Sequence, residues 1–127
     1  MIAVDTSALM AIVLAEAAGA DCERVMQREA EMVISAGTVA EALIVGAGRN
    51  VSAAVSALIA EAGFSIMPVT ADTARRIGDI YARWGRGRDP AGLNFGDCFA
   101  YDAAKSNGCA LLFVGDDFAK TDLASAL

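Results

Sequence analysis

"MIAVDTSALM", residues 1 to 10, sets a short apolar run before one carboxylate, Asp5, and follows it with two hydroxyls, Thr6 and Ser7. Ile2 to Val4 reads as a short buried strand, and Ser7 to about Ala15 has the length and composition of a helix. Asp5 therefore stands at the end of a strand, where burying an uncompensated charge is costly.

The same alternation runs through the chain. Ala20 to Glu29 reads as a helix with Val25 and Met26 inward, Met32 to Ser35 as a strand, and Thr38 to Ala47 with Val51 to Ala62 as a helical pair. Phe64 to Val69 is a third strand and Ala71 to about Trp84 a helix bearing Arg75, Arg76, Asp79 and Arg83 on its polar side. "GRGRDPAGLN" (85 to 94) is a loop by its Gly and Pro content. A helix resumes near Phe95 and ends at Asn107 and Gly108, a fitting C-cap pair, before a fourth strand at Ala110 to Val114 and a turn at "GDDF". Strands alternating with helices imply a mostly parallel sheet covered on both faces, with any ligand site outside the carboxyl ends of the strands. Asp5 ends the first strand and Asp116 and Asp117 follow the last, so both groups reach that edge.

At 127 residues the chain suits a single domain, residues 1–127, and a domain of this size buries roughly two thirds of its unfolded surface. No repeat or linker divides it. Hydrophobic residues make up 56%, dominated by aliphatics over aromatics, which suits helix layers on a small sheet. Acidic residues interrupt every apolar run before the roughly 18 residues of a membrane span, and no basic n-region opens the chain, so a soluble, cytoplasmic protein with no membrane partner is expected. Cys22, Cys98 and Cys109 form an odd set with no CxxC pair, which points to reduced thiols rather than a disulfide or zinc site.

Histidine is absent, which removes Ser-His-Asp and Cys-His triads. Catalysis, if present, rests on carboxylates, hydroxyls, Lys or Arg. The net charge of −6 argues against a phosphate-bearing partner. Its distribution argues the other way, because Arg75, Arg76, Arg83, Arg86 and Arg88 crowd into one stretch and can form a local positive patch.

Three further features carry chemistry. Glu41 lies in the apolar "GTVAEALIVGA" and needs a partner; Thr38 and Glu41 match a capping box, which is a structural use of the same residue. Asp97 falls in the first turn of a helix, where exposed amides favour a negative charge. Asp102, five residues on, points elsewhere and reads as surface or supporting. Carboxylates gathered without His or Cys suit a hard divalent ion, which takes oxygen ligands and can activate water for attack on a phosphoryl group.

The motifs "VDTSAL", "TVAEAL", "LNFGDCFAYDAAK" and "LLFVGDDFAKTDL", in this order and spacing, resemble the PIN-domain ribonucleases, specifically the VapC-type toxins of bacterial toxin-antitoxin pairs. The resemblance covers nearly the whole chain. It implies a PIN-like three-layer α/β/α fold with a small, mostly parallel sheet of four to five strands. It also implies hydrolysis of RNA phosphodiester bonds with Mg²⁺, or Mn²⁺, as cofactor. By the same resemblance Asp5 and Asp97 are metal ligands, and Glu41 and Asp116 complete the catalytic acidic pocket, with Asp117 as the alternative fourth member. Thr6 or Ser7 assists a metal-bound water or phosphate, although a hydroxyl before a helix is also an ordinary N-cap. A VapB-type antitoxin, a homodimer and a larger toxin-antitoxin assembly are the implied partners, and Arg86 and Arg88 are candidates for holding the RNA backbone. A non-cutting PIN-like module that binds RNA or antitoxin is the rival expectation. A phosphate-receiver domain fits less well, since the third strand ends "MPVT" without Asp, and a haloacid-dehalogenase-type phosphatase would need Asp-x-Asp where "DTS" stands.

Overall fold

The computed structural model describes residues 1–127. Four strands, β1 (Ile2–Val4), β2 (Met32–Ser35), β3 (Ser65–Met67) and β4 (Ala110–Leu112), form one sheet in the order β3-β2-β1-β4. All neighbours are parallel, with Ile2 opposite Met32 and Ala110, and Val33 opposite Ser65. The crossovers carry six helices: α1 (Thr6–Val13), α2 (Gly19–Arg28), α3 (Ala36–Gly48), α4 (Ser52–Glu61), α5 (Ala71–Trp84) and α6 (Phe95–Asn107).

Period-two alternation in the central strands divides the core. Ile2, Val4, Met32, Ile34 and Leu112 pack with Leu9 and Met10 of α1, Cys22 and Met26 of α2, and Val55 of α4. Ala3, Val33 and Leu111 face the other way, against Ile77 and Ile80 of α5 and the inner side of α6. The result is a three-layer α/β/α arrangement, as expected, with four strands. Strands β1 and β2 are buried throughout and apolar up to Ser35, the last residue of β2, because both of their faces are covered. Leu9, Ile34, Leu111 and Leu112 are fully buried, so truncating any one to Ala costs about 2–5 kcal/mol.

Element ends differ from the sequence reading in instructive ways. Helix α1 starts at Thr6 because Asp5 caps it, and it ends at Val13, before Ala15 turns left-handed at φ 51°. Helix α3 starts at Ala36, capped by Ser35, which accepts from the Gly37 amide. The Thr38–Glu41 capping box therefore does not form: both residues lie too far into the helix. Strand β3 is shorter than Phe64 to Val69 and is an edge strand, with Ile66 exposed. Strand β4 stops at Leu112, and its outer edge is covered by the chain end, where Leu111 donates to Ala124 O and Ala126 donates to Leu111 O. Gly108 closes α6 in the left-handed region, as a C-cap glycine should. All three thiols are free, Cys22 and Cys98 being buried and Cys109 partly so. No helix is long and apolar enough to cross a membrane.

Candidate active site: an acidic corner at the sheet edge

Asp5 follows β1 directly, so the sheet delivers its carboxylate to the carboxyl edge. Its amide donates to Leu112 O of the neighbouring strand end at 3.0 Å, which pins the backbone there. Its Oδ2 caps α1, accepting from the Ser7 amide at 3.0 Å and from the Ser7 hydroxyl at 2.6 Å. Ser7 Oγ accepts in turn from the Val114 amide at 3.0 Å, so one hydroxyl ties Asp5 to the segment after β4. The other oxygen, Asp5 Oδ1, is buried and has no hydrogen-bond partner. Burial raises the Asp5 pKa above the usual carboxylate range; the two Ser7 bonds oppose this and the Glu41 charge adds to it.

Glu41 is held from α1 rather than from its own helix. Thr6 Oγ1 donates to Glu41 Oε1 at 2.6 Å and lies 3.5 Å from Thr38 O. Across the corner, α6 approaches so closely that a Cβ at Gly96 would collide with Glu41 Oε2 and sit 2.6 Å from Glu41 Cδ. A methyl group there would have to push the Glu41 carboxylate out of its position. Thr38 Oγ1, buried beneath, has no hydrogen-bond partner.

Asp97 opens α6 in a reciprocal cap with Asn94: the Asp97 amide donates to Asn94 Oδ1 at 2.8 Å, and the Asn94 amide to Asp97 Oδ2 at 2.9 Å. The side chain is buried. Its pKa is pushed up to about 7, first by loss of solvent, against the lowering bond from Asn94, and then by the charges of Asp5, Asp117 and Glu41. The fold therefore holds Asp5, Glu41 and Asp117 near Asp97, in one acidic corner, against their mutual repulsion.

Of the doubled aspartate, Asp117 is a like charge that raises Asp97; both side chains are exposed. Arg86 and Arg88 are exposed in the loop before α6 and form no ion pair. Asp102 is not a surface group: it is buried and grips Arg76 through both oxygens, at 2.6 Å and 3.1 Å, tying α6 to α5 away from the corner.

The residues present suit a divalent cation. A buried carboxylate oxygen without a donor, among like charges, is relieved by taking up a proton or by a positive ion, and only the ion keeps it charged at neutral pH. No group of three or more His, Cys, Asp or Glu side chains is set to hold an ion together. A pair of carboxylates with the remaining positions left to water is the preference of Mg²⁺.

The family model of the PIN domain matches residues 2–123. This chain is a PIN domain. Among its relatives, Ribonuclease VapC36 of Mycobacterium tuberculosis is 41% identical over 124 residues, covering 94% of this chain and 89% of the relative. Ribonuclease VapC30 of the same species is 35% identical over 125 residues, covering 96% and 95%. In structure the PIN domain superposes on VapC20 of Mycobacterium tuberculosis, described as a Sarcin-Ricin loop cleaving toxin, with a TM-score of 0.80 at 18% identity over 98% and 97% of the two chains. A toxin-antitoxin complex from Klebsiella pneumoniae gives a TM-score of 0.69 at 15% identity, covering 96% and 93%.

Two residues of this PIN domain's corner escaped the sequence reading. Gly96 carries no functional group, and only its position one residue before Asp97 hinted at a role. Asn94 looked like part of a loop, although Asn three residues before Asp is a legible capping pair.

Proposed function

We propose that this PIN domain is a metal-dependent endoribonuclease toxin that hydrolyses RNA phosphodiester bonds at its acidic corner. In this reading it is a cytoplasmic homodimer neutralised by a cognate VapB-type antitoxin in a larger assembly. Support comes from relatives named as ribonucleases at 35% identity and above. The observation that carries the reading is the buried, donor-free Asp5 Oδ1 in a corner whose charges raise Asp97.

Asp5 and Asp97 are the residues to hold Mg²⁺ or Mn²⁺, and the bound ion would supply the positive charge that polarises a phosphoryl oxygen and acidifies water. The chain's own groups do the rest. Ser7 orients Asp5 through Oδ2 and leaves Oδ1 without a hydrogen-bond partner. Thr6 fixes Glu41, so that a carboxylate able to take a proton stands in a set position. Asp116 completes the acidic pocket, with Asp117, whose charge raises Asp97, as the alternative member. Arg86 and Arg88 supply positive charge for the RNA backbone on an otherwise acidic protein.

The test is incubation of antitoxin-free protein with total cellular RNA in Mg²⁺ or Mn²⁺ and in EDTA, comparing wild type with a folded Asp97→Asn variant. Discrete metal-dependent fragments, lost in the variant, are expected. Identical behaviour of the two proteins on every RNA class, with antitoxin still bound tightly, would replace the nuclease by a binding module.

A further inference from the structure

Beside the acidic corner a cleft of about 400 Å³ opens between α5, the loop at 85–94 and the first turn of α6. Ile77, Gly78, Tyr81, Arg86, Asn94 and Phe95 line it. Phe95 is 69% exposed and Tyr81 36% exposed. Both rings are already held in place. Phe95 stands edge-on to Phe99 with centroids 5.0 Å apart. The Tyr81 ring lies so close to Gly85 that a Cβ there would be 2.7 Å from its Cγ, and its hydroxyl donates to Arg86 O at 3.4 Å.

Gly78 gives the cleft a stretch of bare backbone, and the space above it is open: a Cβ at that position would meet nothing within 4 Å. Arg86, exposed and without an ion pair, is anchored through its amide to Leu93 O at 2.9 Å. Asn94 spends its oxygen on the Asp97 amide, which leaves its side-chain NH₂ as a donor to the cleft. Phe95 also lines the neighbouring hollow that contains Glu41 and Gly96, so one ring borders both the cleft and the acidic corner.

Two fixed aromatic faces, one unpaired guanidinium and one amide donor match a single nucleotide. Aromatic rings accept any base by stacking, and the guanidinium takes the phosphate. We propose that this cleft seats one unpaired nucleotide beside the scissile phosphodiester, its base on Phe95 and Tyr81 and its phosphate on Arg86, an assignment that rests on the ribonuclease reading above.

The experiment uses full-length Asp97→Asn protein, which does not consume the probe, and a fluorescent single-stranded RNA octamer of random sequence. Adding Phe95→Ala is expected to weaken binding about tenfold, the loss of one stacked base. Arg86→Gln is expected to weaken it and to lower the slope of log affinity against log salt by about 0.7. An abasic chain of equal length should bind alike with and without Phe95. If wild type cleaves RNA but Phe95→Ala leaves affinity within twofold, the nucleotide seat is wrong and the nuclease stands. If Phe95→Ala weakens antitoxin binding and not RNA binding, the cleft is a protein-docking surface and the proposal falls. If wild type neither cuts nor binds RNA, the functional reading fails and takes this proposal with it.

Discussion

The backbone of Gly96 lies against the carboxylate of Glu41, with room for hydrogen and not for a methyl group. Glu41 belongs to α3 and Gly96 to α6, and Thr6 of α1 holds the opposite side of the same carboxylate at 2.6 Å. Three helices thus set one acidic side chain. Gly96→Ala is expected to displace Glu41, lower stability by about 1–3 kcal/mol through overpacking, and abolish most RNA cleavage. Urea denaturation of Gly96→Ala and of Gly96→Ala/Glu41→Ala checks the cause, because removing the Glu41 side chain should restore stability without restoring activity.

Asp97 predicts a pH signature. Its pKa rises from 3.8 to about 7 on folding, so across that window the folded protein keeps a proton that the unfolded chain has released. Folding then takes up a proton, and stability from this group is full below the lower value and falls as pH rises towards 7. Asp5, also raised, acts with the same sign. In EDTA, the melting temperature of wild type relative to Asp97→Asn should decline between those two pH values. Parallel profiles would show that Asp97 titrates normally.

A cation reverses that balance by favouring the ionised carboxylates. Millimolar Mg²⁺ or Mn²⁺ should raise the melting temperature at neutral pH, by the equivalent of about 2.7 kcal/mol when the ion stands at 100 times its Kd. Asp5→Asn retains an oxygen to cap α1 and loses the buried charge. Calorimetry should therefore show it at least as stable as wild type without metal and unresponsive to metal.

Ser7 does two jobs with one hydroxyl, donating to Asp5 Oδ2 and accepting from the Val114 amide. Ser7→Ala should cost about 1–2 kcal/mol in chemical denaturation. It should also weaken the metal-induced thermal shift, since Asp5 loses the group that orients it.

Remote from the corner, Tyr101 donates to Asp122 at 2.6 Å and accepts from the Trp84 indole at 3.1 Å, while Lys105 holds the other Asp122 oxygen at 2.6 Å. This network pins the segment after Phe118 to α6 and α5. Tyr101→Phe should cost about 1–3 kcal/mol by leaving these groups unpaired, with RNA cleavage retained below the melting transition.

Much of this molecule is written in short-range pattern. Apolar runs of three to five residues ending at Asp5, Ser35 and Val114 were readable as parallel strands, because strands covered on both faces carry no polar alternation to blur them. Asp5 and Glu41 stand out by their apolar surroundings, since a carboxylate there demands a partner, whereas Asp97 stands out by its place in the first turn of a helix and in the family motif. Local pattern misled at Thr38 and Glu41, whose spacing matches a cap that Ser35 forms instead, three residues earlier. It was silent on whether Asp116 or Asp117 matters, because neighbours in a turn have equal local claims.

Tertiary structure decided the partnerships. Thr6 meets Glu41 across 35 positions, Ser7 meets Val114 across 107, and Gly96 matters only because α6 presses on α3. Burial and helix or strand periodicity depend on residues a few positions apart, so the chain by itself declares its elements and its anomalous charges. Distances between those charges depend on how layers pack around the sheet. The raised pKa of Asp97 and the donor-free oxygen of Asp5 exist only once that packing has removed the water.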